Sequence, residues 1–292
     1  MKRDVAVYSD DGIKLAAVLY TPDGAEGPVP GVVVCQGFGS TKEINLPPIA
    51  EALADAGYAA LIFDYRGFGQ SGGTPWRLIP EEQIADIRAC TSFLEGEDGV
   101  DPSRLGALGV SFGASEAIQA AGMDSRIKAT VAAVAFGDGR RWLRDMRPFW
   151  EFRQLEDRIA RDRVQRARTG EPEIVEHGVV LVRDPESARW QAEMVKKFPE
   201  RNFKLPLETA EKIMEFRPER YVPDIAPRAL MLVAASLDAI VDPAELTRMY
   251  EMASEPKALY VLEGVEHHAI YSGDPLKRWV AEAVRFFDSH LK

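Results

Sequence analysis

The sequence predicts an α/β fold: a mostly parallel central sheet flanked by helices, with a helical segment inserted late in the chain. Three observations carry this. Short continuous apolar runs alternate with amphipathic segments, the mark of parallel strands covered on both faces. From 138 to 222 the rhythm gives way to a charge-dense, aromatic stretch of helical period. After Pro223 and Pro227 the alternation resumes.

Taken in order, residues 4–20 read as two strands of alternating apolar residues joined by an Asp10-Asp11-Gly12 turn. A Pro/Gly loop follows, from Gly24 to Gly31. The runs Gly31–Cys35, Tyr58–Phe63, Leu105–Val110 and Ile127–Phe136 are strands. Between them, helices are expected through Ala50, Leu53 and Ala54, over Glu81–Leu94 and over Phe112–Ala121. Beyond the insert, Leu230–Ala235 and Ala258–Leu262 are strands, and Pro243–Ala253 and Leu276–Leu291 are helices. This divides the chain into a core of 1–137 and 223–292 and a helical cap of 138–222, inserted between strands 6 and 7.

Composition bounds the function. Of the 292 residues, 46% are hydrophobic and 28% charged, ordinary for a globular protein and unlike a disordered or coiled-coil chain. No apolar run approaches a membrane span, and the amino-terminal residues lack a signal-peptide core, so the expected compartment is the cytoplasm. The net charge of −10 disfavours nucleic acid as a partner. The charge is uneven: 138–222 holds 19 Lys/Arg against 17 Asp/Glu, and the rest 17 against 29. Cys35 and Cys90 read as core thiols, since two cysteines make no disulfide framework. No residues have metal-ligand spacing and no phosphate-cradling loop is present, so no cofactor is expected. A small-molecule substrate is the expected partner, with a homodimer as a further option.

The informative motif is Gly109-Val110-Ser111-Phe112-Gly113, which follows a strand and opens a helix. A nucleophile there projects from a tight turn whose flanking positions admit only glycine-sized residues. The helix amino terminus favours charge developing on a substrate oxygen. The bland reading of Ser111 is a helix cap.

Four further stretches join this motif. Gln36-Gly37-Phe38-Gly39 follows the third strand. Asp64-Tyr65-Arg66-Gly67-Phe68-Gly69-Gln70-Ser71 follows the fourth. The stretch from Ile225 leads to Asp238, and Gly264-Val265-Glu266-His267 lies further on. Together they resemble the α/β-hydrolase superfamily over nearly the whole chain outside the cap. The resemblance is to its dienelactone-hydrolase-like and cocaine-esterase-like serine hydrolases and to its fungal polyketide transferase or thiohydrolase proteins. It implies the α/β-hydrolase fold and a Ser-Asp-His triad.

A serine hydroxyl needs a base, and a carboxylate must fix that base's tautomer. Of the four histidines, His177 reads as solvated in a charged loop and His290 as structural on the last helical turn. His267 and His268 follow a strand end, where open α/β sheets bind ligands. His267 is preferred because, as in related hydrolases, it lies three residues after Gly264; His268 is the alternative. Asp242 precedes Pro243 and suits a helix cap, which leaves Asp238 as the acid. The oxyanion hole is expected from the backbone amides of Phe112 and Phe38. Gln36 replaces the family's usual histidine, Ala114 a frequent glycine and Ala235 another. Asp64 and Arg66 read as loop braces. The arginines from Arg140 to Arg168 read as a salt-bridged helix face, or alternatively as a recognition surface for an anionic substrate. The expected reaction is cleavage of an ester or thioester through an acyl-enzyme on Ser111. C–C or amide hydrolysis, acyl transfer of a polyketide-like group to an alcohol, and ligand binding without turnover remain as alternatives.

Overall fold

The computed structural model describes residues 1–292. The strands β1 (Lys2–Tyr8) and β2 (Lys14–Tyr20) form an antiparallel hairpin. Then β3 (Val29–Cys35), helix α1 (Pro47–Asp55), β4 (Ala59–Phe63), α2 (Pro80–Glu95), β5 (Val100–Val110), α3 (Phe112–Met123) and β6 (Ile127–Ala133) alternate. The chain then leaves the sheet. It builds α4 (Gly139–Asp145), α5 (Phe149–Thr169), β7 (Ile174–Glu176), α6 (His177–Val180), α7 (Pro185–Lys197), β8 (Lys204–Pro206) and α8 (Glu208–Glu215). It returns through β9 (Ala229–Ala235), α9 (Ala244–Met252), β10 (Lys257–Leu262) and α10 (Gly273–Leu291).

The eight-stranded sheet has the order β1-β2-β4-β3-β5-β6-β9-β10, parallel from β4 onward. Each central strand is apolar on both sides because each side faces helices. Val33, Leu61 and Ala107 pack under α2, α3 and the inserted segment, while Val32, Val34 and Ile62 pack against α1 and α10. On α10, Trp279, Val280, Ala283, Phe287 and Leu291 recur at helical spacing and bury one stripe. Pro47 opens α1 and Pro80 opens α2, positions where the missing amide costs nothing. No helix is long and apolar enough to cross a membrane.

The sixth strand ends at Ala133 rather than at Phe136. Val134 turns to φ 51° and gives its amide to Val233 O at 2.8 Å, which steers the chain out of the sheet. Phe136 then stacks on Trp142 at 4.3 Å. The indole of Trp142 donates to Ile240 O at 2.9 Å, tying the inserted segment to the loop after β9. A second tie runs through Phe203, which stacks on Trp76 at 4.5 Å. Gly39 has to be glycine here, since a Cβ at its φ of 60° would sit 2.2 Å from the Phe203 ring.

Candidate active site

The site lies at the carboxyl ends of β5, β9 and β10. β5 feeds straight into α3, and Ser111 takes up the reversal with φ 54°, ψ −122°. Such a backbone stores strain, and the surroundings enforce it. A Cβ on Gly109 would lie 2.3 Å from Gly113 O, and one on Gly113 would lie 2.2 Å from Gln36 O. The glycines at both ends of the motif therefore allow the strand, the helix and the loop after β3 to meet.

Ser111 Oγ stands 3.0 Å from His267 Nε2, across 156 positions of sequence. His267 Nδ1 stands 2.6 Å from Asp238 Oδ2. The other carboxylate oxygen, Asp238 Oδ1, accepts the amides of Ile240 and Val241, each at 2.8 Å. All three side chains are buried, at 7%, 4% and 8% exposure for Ser111, His267 and Asp238. Asp242 instead accepts the Ala244 amide at 2.9 Å and organises the start of α9.

Gly37 brings the loop after β3 against the serine, since a Cβ there would lie 3.3 Å from Ser111 Cβ. Neither the Phe38 nor the Phe112 amide has an acceptor within the chain. Their rings pack edge to face at 5.8 Å. Gln36 is 1% exposed, and neither its amide nitrogen nor its oxygen has a partner.

His268 does not reach Ser111. Its ring lies flat on Trp190 of α7 at 3.9 Å, and both ring nitrogens are enclosed without partners. Burial first, then His267, Arg201 and Arg183, push its imidazole down to about 2, so it stays neutral. His177 is not solvated. The short β7–β8 pair turns it inward, where it stacks on Phe203 at 4.9 Å, and Nδ1 lies 3.2 Å from Phe203 O. Burial lowers it to about 4. His290 sits exposed on α10 beside Phe286.

Asp64 accepts from the Lys42 amide at 2.7 Å, Lys42 Nζ at 2.8 Å and the Gln70 amide at 3.0 Å. Arg66 meets Asp86 through Nε at 2.9 Å and Nη2 at 2.7 Å. Both residues brace loops. Cys35 and Cys90 are buried and unpaired.

The arginines of α4 and α5 form an ion-paired face. Arg140 meets Glu156, Arg141 meets Glu219 and Glu245, Arg158 meets Glu173, and Arg166 meets Asp162 and Glu211. None of them lines the space over Ser111. That space has a free volume of about 40 Å³ and is enclosed by the loop after β3, Trp142, Trp190, His268 and Tyr271. Two arginines that sequence reasoning missed, Arg183 and Arg201, also line it. They lie outside the arginine run and carry no local pattern that would mark them. Tyr271, four residues after His267, is enclosed as well, and burial pushes its phenol up.

Residues 11–269 match the X-Pro dipeptidyl-peptidase (S15) family. The chain belongs to that family. This S15 chain is 30% identical to an uncharacterized 31.7 kDa protein of the traX-finO intergenic region of Escherichia coli, over 90% of this chain and 91% of that one. It is 26% identical to the thiohydrolase aneE of Aspergillus aculeatus, over 99% and 93%. The α/β hydrolase GrgF of a Penicillium species superposes with a TM-score of 0.83 at 20% identity, covering 100% and 99%. The S15 chain is thus an enzyme of the hydrolase and acyltransferase type, built on the α/β-hydrolase fold.

Proposed function

We propose that this S15 chain is a serine hydrolase that cleaves a carboxylic ester or thioester through an acyl-enzyme on Ser111. The observation that carries the reading is the run of two contacts, Ser111 Oγ to His267 Nε2 at 3.0 Å and His267 Nδ1 to Asp238 Oδ2 at 2.6 Å. Imidazole takes the serine proton as Oγ attacks the carbonyl carbon. Asp238 holds the tautomer that leaves Nε2 free to accept. The Phe38 and Phe112 amides, without acceptors of their own, hold the oxyanion. The tetrahedral adduct collapses, His267 protonates the leaving alcohol or thiol, and a water deprotonated by His267 then releases the acid. The segment 138–222 acts as a cap over the site.

The family description raises a second reading, removal of X-Pro dipeptides. A dipeptidyl-peptidase must hold a free peptide ammonium near its nucleophile. The space over Ser111 offers no Asp or Glu for that task and presents two guanidiniums instead. The ester or thioester reading is therefore preferred, and the thiohydrolase relative supports it.

A fluorophosphonate probe and a 4-nitrophenyl ester test the reading. The probe should label Ser111, and Ser111→Ala should lose both labelling and turnover. Turnover that survives in Ser111→Ala would end it.

A further inference from the structure

Ion pairing is the rule for the arginines of the inserted segment, and the exceptions that line the space over Ser111 stand out. Arg201 is 6% exposed. Its Nε and Nη2 donate to Gln191 Oε1 at 3.1 and 2.9 Å, its Nη1 to Ser40 Oγ at 3.3 Å, and its guanidinium lies 5.1 Å from the centre of the Trp190 ring. Arg183 is half-buried, and its one bond goes to Leu181 O at 3.3 Å. Neither forms an ion pair, although the chain carries 46 Asp and Glu. Burial draws both guanidiniums down to about 10, so both remain charged at neutral pH, and Arg201 acts on Arg183 as a like charge.

Two like charges withdrawn from water without an anion are costly. Arg147, which also has no ionic partner, spends its guanidinium on the carbonyls of Leu143, Val179 and Val180 away from this space, whereas Arg183 and Arg201 border the nucleophile, where an incoming anion would compensate them. The remaining polar lining points the same way. Gln36 Nε2 has no acceptor, and the His268 ring, held neutral, carries one N–H that also has none. No Asp or Glu lines the space over Ser111, and its two guanidiniums are donors only.

We propose that this site takes an anionic substrate: an ester or thioester bearing a free carboxylate, which Arg183 and Arg201 bind while Ser111 attacks the ester carbonyl. The inference rests on the serine-hydrolase reading and adds its substrate class. The chemistry is ordinary hydrolysis, in which water adds across the acyl bond and the second carboxylate is a spectator. Planar guanidinium forks suit that group by two-point hydrogen bonding. Arg201, fixed by Gln191, supplies a rigid donor, and Arg183, with a single weak tether, supplies an adjustable one.

The test uses matched pairs of esters with the charge on either side of the scissile bond. One pair is 4-nitrophenyl hemiglutarate and 4-nitrophenyl pentanoate; the other is 4-acetoxybenzoate and 4-methylphenyl acetate. In the wild type, kcat/KM should favour the charged member of at least one pair by about tenfold or more. In Arg183→Gln that ratio should collapse towards one, and Arg183→Lys should restore part of it. Arg201→Gln should act likewise, and if its packing against Trp190 is too important for folding, Arg183→Gln decides alone. Independently, millimolar glutarate should raise the melting temperature of the wild type and not that of Arg183→Gln. Equal or lower turnover of the charged ester in both pairs, or a ratio unchanged in Arg183→Gln, overturns the inference while leaving the hydrolase reading intact. Turnover of no ester, with no probe labelling, sinks the hydrolase reading. The glutarate shift then still decides whether the site binds a carboxylate.

Discussion

Asp238 meets His267 through one carboxylate oxygen at 2.6 Å, and its other oxygen is already committed to the amides of Ile240 and Val241. The division fixes which way the carboxylate faces. Asn at this position would keep its oxygen on the two amides and turn its NH2 group towards Nδ1. The imidazole would then carry its proton on Nε2, where it cannot accept from Ser111. Asp238→Asn should therefore lower kcat by about a thousand- to ten-thousandfold with little change in melting temperature. Ester turnover within tenfold of wild type would remove Asp238 from the orienting role.

The turn that presents Ser111 depends on Gly113. A methyl group there would press on Gln36 O at 2.2 Å and on the Cys35 carbonyl carbon at 2.8 Å, both backbone atoms that cannot swing aside. Gly113→Ala should cost about 1–3 kcal/mol in urea unfolding, and it should lower turnover by shifting the loop that carries the Phe38 amide. A variant as stable and as active as the wild type would show that the three segments do not meet this closely.

Much of this was readable from the residues, for identifiable reasons. Val32, Val33 and Val34 announce a doubly covered strand because both faces of β3 pack against helices. The glycines at 109 and 113 signal a turn because no larger residue fits. The inserted segment was legible only as helical and charged. β7 and β8 have three residues each, too few for a period to emerge, and it is their pairing that buries His177. Arg183 and Arg201 look like any other arginines in a segment rich in them. Their distinction is the lack of an ionic partner, a property of the fold and not of their neighbours in sequence.

Glu116 gives a pH signature. It sits on α3 with 0% exposure and no hydrogen-bond partner for either oxygen. Burial, above all, pushes its carboxyl well above the usual range, and the negative charges of Asp86 and Glu81 push the same way. The folded state therefore holds this proton more tightly than the unfolded chain does. The stability that goes with it is complete below the unfolded value near about 4.3 and is lost as pH rises through the raised folded value. Glu116→Gln should gain stability relative to wild type as pH rises from about 5 to about 8, read by urea unfolding at each pH. A difference that stays flat over that range would show that Glu116 is ionised in the folded protein.

The free volume of about 40 Å³ over Ser111 has a kinetic consequence. That volume is little room for a whole acyl chain. Entry of an ester and departure of the acid should then displace part of the wall, of which the Trp190 ring stacked on His268 is the piece carried by α7. Solvent drag on α7 would then enter the turnover rate, so added sucrose or glycerol should slow kcat in proportion to viscosity for fast substrates and leave slow ones untouched. Fluorescence of the displaced indole would track the opening directly.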